Sequence, residues 1–363
     1  KPGADPLGHP SRRRGSFEDR KDAIKISRYF EFWFEMALRQ ARLPRRHRVD
    51  HARKANVMTR LTAKDFDQGL LDLYDFYVHG GLTKREFLNR AGTYAVGGVT
   101  ALGLFNMLKP DYALAEQVSF NDPDITASYE MYDSPNGNGE VRGYVVRPTN
   151  APGKLPAVLV IHENRGLNPY IEDVARRVAK AGFMALAPDG LTSVGGYPGN
   201  DAEGKALQKT VDRVKLMNDF FAGYEHLAAR DDSTGKVGCV GYCYGGGVCN
   251  ALAVTYPELN ASVPFYGRQA KAEDVARIQA PLLLHYGALD KRINAGWPAY
   301  EAALKAQGKT YEAALKAQGK TYEGHIYAGA NHGFHNDSTP RYDEPNADLA
   351  WSRTIDWFNK HLT

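Results

Sequence analysis

Cysteine is scarce in this 363-residue chain: there are three, Cys239, Cys243 and Cys249, all in one short stretch. Such clustering excludes a disulfide framework spanning the fold. No second closely spaced Cys or His pair completes a four-ligand zinc site, so no structural metal is expected. Long apolar runs are also missing. The longest falls short of the roughly 20 residues a membrane-spanning helix needs, and no stable membrane span is expected. Nor does one sign of charge dominate, since 46 Lys and Arg against 42 Asp and Glu give a net +4. The excess lies near the N-terminus, in Arg12, Arg13, Arg14, Arg42, Arg45, Arg46, Arg48, Arg53 and Lys54. An Arg-rich tract can touch nucleic-acid or membrane phosphates. Here it is read as a solvated or non-native leader, with no nucleic-acid partner.

What is present is an ordinary globular composition, 43% hydrophobic and 24% charged, remote from disordered or collagen-like chains. The length allows one large α/β domain with an appendage, or two ordinary domains. The first methionines are Met36 and Met58, so residues 1–57 are read as an extension of uncertain origin, with a short amphipathic helix around Trp33 and Phe34. Residues 58–118 form a helical segment. Phe66, Leu70, Leu71, Leu73, Tyr74 and Tyr77 fall on related faces, and Gly80-Gly81 divides two short helices. Then TKREFLNRAG, an apolar run from Thr93 to Leu108 and Ala113-Leu114-Ala115 resemble a twin-arginine export signal, with Lys84-Arg85 in place of two arginines. Export signal and packed helix are both open readings, as are periplasmic and cytoplasmic location.

Residues 119–363 change texture. An antiparallel pair at 127–133 and 141–147 precedes apolar runs at 157–162, 183–189, 236–242, 261–267, 281–287 and 325–329. Helical stretches near 169–180, 202–222, 245 onward, 296–307 and 346–361 separate them. Short apolar strands alternating with helices predict a mostly parallel sheet covered on both faces. YEAALKAQGKT occurs at 300–310 and again, identical, at 311–321. Eleven residues are about three helical turns, so a duplication can lengthen a helix nearly in register. Gly308 opposes that, an extruded loop is the other outcome, and a functionless accident or a sequence error is the reading preferred.

The chemistry is concentrated in GYCYGGG, 241–247, where an apolar strand runs into Gly-x-Cys-x-Gly and a small-residue helix. This is the strand, sharp turn and helix of a nucleophile elbow, with cysteine where serine is usual. Side chains at Gly241 or Gly245 would collide where strand and helix meet, and the turn aims the Tyr244 N–H at an oxyanion. Cys239 and Cys249 read as buried small hydrophobes. The elbow calls for an acid after a later strand and then a histidine. Asp290, in HYGALD, and His332, in GANHGF, follow in that order. A thiol attacks as thiolate, an adjacent imidazolium stabilises that form, and a carboxylate fixes the imidazole tautomer. Taken singly, Asp290 is a turn or helix cap and His332 a surface residue.

HENRG (162–166), GYCYGG, the GALD aspartate and the GANHGF histidine together resemble the dienelactone hydrolase family, over roughly residues 120–362. The resemblance implies an α/β-hydrolase fold with a Cys, Asp, His triad. It implies that Glu163 interacts with the thiol and helps generate thiolate, and that the Asn164 N–H joins that of Tyr244 in the oxyanion hole. Family members hold a substrate carboxylate with arginines, one just after the catalytic histidine, where this chain has His335 and Asn336. Arg165, Tyr242 and His335 are the expected substrate contacts, with Arg165 also a holder for Glu163. The expected function is ester or lactone hydrolysis of the carboxymethylenebutenolidase type through a thioester, with no cofactor. Alternatives are a broad carboxylesterase or thioesterase, and an impaired hydrolase-like binding protein whose His332 is displaced by the duplication. Substrate identity and oligomeric state are open.

Overall fold

Strands that are apolar on both faces need cover on both, and the chain supplies it by alternating strand and helix. The computed structural model describes residues 60–312 and 322–363. The expected leader at 1–57, with its basic tract and its amphipathic helix, lies outside the described residues. The chain divides into two compact units, Lys1–Lys109 and Pro110–Thr363.

Within the first unit are helices α1 (Gln68–Val78), α2 (Lys84–Ala91) and α3 (Ala101–Met107). Each starts at a polar cap: Asp67 accepts from Gly69 N–H, Thr83 and Glu86 form a capping box, and Thr100 accepts from Gly103 N–H. Such caps satisfy amides that the first helical turn leaves open. Leu70, Leu71, Tyr74, Phe87, Leu104 and Phe105 share a core. The Lys84-Arg85 pair thus opens a packed helix, and Phe87 and Ala91 of the export-like motif are buried in it. Among the described residues, no helix is long and apolar enough to cross a membrane.

The second unit is one eight-stranded sheet, ordered β1-β2-β4-β3-β5-β6-β7-β8. Its strands are β1 (Ile125–Ser134), β2 (Gly139–Pro148), β3 (Leu155–Ile161), β4 (Met184–Pro188), β5 (Ser233–Tyr242), β6 (Ala261–Phe265), β7 (Leu282–Gly287) and β8 (Tyr322–Tyr327). The β1-β2 and β2-β4 pairs are antiparallel and every other pair is parallel. Helices α4 (Pro169–Lys180), α5 (Asp201–Gln208), α6 (Arg213–Ala229), α7 (Tyr244–Thr255), α8 (Lys291–Asn294), α9 (Trp297–Glu312) and α10 (Glu344–Leu362) complete the unit. One core joins the sheet to Leu216 and Phe220 of α6 and Val248 and Leu252 of α7. The other joins it to Ile171 and Val174 of α4 and Ala350 and Phe358 of α10. This is the α/β layering expected from the sequence.

Three boundaries differ from expectation. The stretch at 202–222 is two helices, because Asp212 accepts from the N–H groups of Val214 and Lys215 and caps a fresh start. The second unit begins at Pro110, not 119, since the intervening segment bonds into it: Asp111 N–H donates to the Ser338 carbonyl at 2.7 Å and Val118 N–H to Asp173 at 2.8 Å. Helix α9 runs through Gly308 to Glu312, while the rest of the second repeat copy, 313–321, lies outside the described residues.

Candidate active site

Parallel strands all end at the same edge of a sheet, so loops that follow them are neighbours however far apart in sequence. β5 ends at Tyr242 and α7 begins at Tyr244, leaving Cys243 to make the whole turn. It does so at φ 55°, ψ −107°, one of two non-glycine residues with positive φ among the described residues. Its N–H donates to the Phe265 carbonyl at 3.0 Å. The flanking glycines are required by close approach. A Cβ on Gly241 would lie 2.2 Å from the Gly245 oxygen, and one on Gly245 would lie 2.3 Å from the Ile161 oxygen. Real Cβ atoms do not come so near backbone, so the elbow needs both.

The other two groups follow neighbouring strands. β7 and β8 run in register, from Leu282 opposite Tyr322 to Gly287 opposite Tyr327. Past their ends, Ala288 N–H donates to the Tyr327 carbonyl at 2.9 Å and Leu289 N–H to the Ala330 carbonyl at 3.0 Å, which ties the two loops together. Asp290 and His332 are thereby fixed in facing positions, both buried. Asp290 divides its carboxylate, one oxygen accepting from Ile293 N–H at 3.1 Å and the other lying 2.5 Å from His332 Nδ1. The cap reading and the histidine-holding reading of Asp290 are therefore both realised. The Cys243 sulfur is within 4.8 Å of a ring nitrogen of His332, and His332 has not been displaced by the duplication.

Glu163 follows β3 at the same edge and is 2% exposed. Its carboxylate accepts from Asn336 Nδ2 at 3.1 Å. Nearby phenols feel its charge: the Tyr266 hydroxyl is pushed well up, first by burial and next by Glu163. Tyr244 is the first residue of α7, where the N–H has no partner within the helix. Asn164 lies in the loop between β3 and α4.

A model of the dienelactone hydrolase family matches residues 141–362. The chain belongs to that family. It is a hydrolase of carboxylic esters with an α/β-hydrolase fold. Residues 58–97 match a second model, described as YqhI-like. A candidate hydrolase fragment of Escherichia coli (strain K12), YghX, is 71% identical over 114 residues, 31% of this chain and 97% of that protein. A candidate carboxymethylenebutenolidase of Yersinia pestis is 31% identical over 244 residues, 62% of this chain and 86% of its own. The crystal structure of a candidate dienelactone hydrolase from Klebsiella pneumoniae superposes with a TM-score of 0.55 at 28% identity, covering 65% of this chain and 99% of that one.

In this dienelactone hydrolase frame, the three expected substrate contacts each have a protein partner. Arg165 Nη1 lies 2.5 Å from Asp201, so that guanidinium belongs to an ion pair with the start of α5, and Asn336 is what holds Glu163. Tyr242 is fully buried, packed on Phe265, with ring centroids 4.9 Å apart. His335 is 2% exposed, its Nδ1 2.7 Å from the Tyr170 hydroxyl, and burial holds its pKa well below that of an ordinary histidine. Cys239 and Cys249 are buried, as read from the sequence.

Tyr266 escaped the sequence reading. It follows β6, carries the second positive φ, 39°, and its ring centroid lies 4.9 Å from that of His332. The readable signal was its place one residue past an apolar strand at the edge that carries Cys243.

Proposed function

We propose that this chain hydrolyses a carboxylic ester or lactone through a covalent thioester on Cys243. The observation that carries the reading is the chain of contacts from the strained Cys243 to His332 and from His332 Nδ1 to Asp290 at 2.5 Å. With Nδ1 turned to the carboxylate, Nε2 is the nitrogen left for proton transfer. The thiol proton passes to the imidazole, sulfur attacks the carbonyl carbon, and the oxyanion is received by the N–H groups of Asn164 and Tyr244. The carbon–oxygen bond breaks, the imidazolium returns its proton to the departing alkoxide, and the acyl group remains on sulfur. Water, deprotonated by His332, then attacks the thioester and releases the acid and the thiol.

Glu163, buried beside this assembly, is assigned as the acceptor of the thiol's hydrogen bond before substrate arrives; the proton itself then passes to His332, and the carboxylate moves away so that its charge does not oppose the thiolate. The Asn336 bond is the resting place for that carboxylate. The name carboxymethylenebutenolidase, carried by a relative, points to a butenolide, that is, a cyclic ester, as the first substrate class to try. No cofactor is needed, because water is the second reactant.

The test is a screen of unsaturated lactones and aryl esters with the native protein beside Cys243→Ala, followed by intact-mass detection of the acyl adduct after rapid acid quench. Turnover lost in Cys243→Ala and an adduct on Cys243 are expected. Turnover that survives the substitution ends the proposal.

A further inference from the structure

One imidazole that takes no part in the chemistry above is bonded on both sides. His162 follows β3 and is fully buried. Its Nδ1 lies 2.5 Å from the carbonyl oxygen of Glu163, and its Nε2 lies 3.1 Å from the N–H of Gly190, in the loop after β4. A carbonyl can only accept and an amide N–H can only donate, so both ring nitrogens are assigned: Nδ1 carries the proton and Nε2 is the acceptor. Such a ring is neutral. Burial, the largest influence on it, lowers its pKa in the same direction. Phe220 packs edge-on against the ring at 5.3 Å between centroids and limits its rotation.

The carbonyl that His162 grips belongs to the peptide joining Glu163 to Asn164. A trans peptide is planar, and its C=O and N–H point in opposite directions. We propose that His162 is the positioning residue of the oxyanion hole: by holding the Glu163 carbonyl toward itself, it turns the Asn164 N–H outward to where substrate oxygen arrives. This rests on the reading of Asn164 and Tyr244 as oxyanion donors. A flipped peptide would strand a buried carbonyl and a buried ring N–H together, and that disfavours the flip. The main chain of His162 also abuts the other half of the hole. A Cβ on Gly245 would lie 2.8 Å from the His162 carbonyl oxygen, so the residue touches the elbow that presents Tyr244. It never reaches substrate itself.

Two conservative variants separate the two bonds. In His162→Asn the amide nitrogen takes the place of Nδ1 and keeps the donor to Glu163. In His162→Gln the amide oxygen reaches the place of Nε2 and keeps the acceptor for Gly190. Both are compared with native protein for p-nitrophenyl acetate hydrolysis and for alkylation of Cys243 by iodoacetamide, a displacement that forms no oxyanion. His162→Gln is expected to lose about 100-fold in kcat, the usual loss for one oxyanion donor. KM and the alkylation rate stay within about threefold, as for an interaction made only in the transition state. His162→Asn is expected to recover kcat to within about tenfold of native. Equal impairment of the two variants, native kcat in His162→Gln, or alkylation falling together with kcat overturns the inference. If His162→Gln does not fold, His162→Asn carries the test alone, and a loss of about 100-fold in it overturns the inference. Native protein that neither hydrolyses esters nor is alkylated at Cys243 defeats the proposed function, and this inference with it, a result distinct from any of the others.

Discussion

His332 Nδ1 and Asp290 Oδ2 stand 2.5 Å apart, although 42 positions and the whole of a duplicated block separate them in the chain. The other oxygen of Asp290 caps α8 through Ile293 N–H, so two substitutions divide its roles. Asp290→Asn keeps an oxygen for the cap while removing the charge that fixes the imidazole tautomer. It is expected to lower kcat by about 100-fold or more with the melting temperature nearly unchanged. Asp290→Ala loses the cap as well, about 1 kcal/mol of stability by urea unfolding. Equal kcat in native protein and Asp290→Asn would show that the pair has no part in catalysis.

Cys243 pays in backbone strain for its place at φ 55°. Glycine reaches that region freely, whereas alanine keeps the penalty of roughly 1–3 kcal/mol, set against glycine's extra unfolded-state entropy of roughly 0.5–1 kcal/mol. Both variants are inactive on the proposed mechanism. Cys243→Gly is expected to be the more stable by about 1 kcal/mol, a difference readable in urea midpoints. If Cys243→Ala proves the more stable, the turn is not strained.

Gly245→Ala places a methyl 2.3 Å from a backbone oxygen of β3's last residue. No side-chain rotation relieves a clash with main chain. The variant is expected to lose more than about 3 kcal/mol or to remain insoluble, as overpacking against backbone does. Gly247→Ala, whose added methyl would meet nothing nearer than 3.7 Å, serves as the comparison.

Stability is expected to fall as pH is lowered through about 6.5. His162, His285 and His335 are fully buried, and burial depresses the pKa of each below the ordinary 6.5. Below that pH the unfolded chain takes up protons that the folded chain refuses, so acid favours unfolding. Each group contributes up to about 1.4 kcal/mol per pH unit until its folded-state pKa is reached. Urea unfolding between pH 7.5 and 5.5 reads the slope. His335→Gln is expected to reduce it by about one proton's worth, and an unchanged slope would place His335 outside this linkage.

Much of this arrangement is legible in the sequence. Cys243, Asp290 and His332 each come within a few residues of the end of a short strand, and parallel strands finish together, so chain order and strand ends are enough to bring the three to one edge. Asp212 was legible in principle as a cap that splits the stretch at 202–222, but the apolar spacing continues across it and conceals the break. The bonds from Arg165 to Asp201 and from Asn336 to Glu163 were not legible. The second spans 173 positions, and its partners are chosen by the direction in which loop side chains leave the backbone, which no periodicity records. For the same reason the burial of Arg165, Tyr242 and His335 is not readable from the sequence.

The ladder between β7 and β8, from Leu282 opposite Tyr322 to Gly287 opposite Tyr327, lies between the duplicated block and His332. It acts as a ruler. Pairing begins at Tyr322 and ends at Tyr327, and the imidazole is then counted off from Tyr327. The connection before Tyr322 is therefore a stretch where the gene can gain or lose residues without moving the reaction centre. The same insertion placed after Tyr327 would meet no such ruler before the histidine.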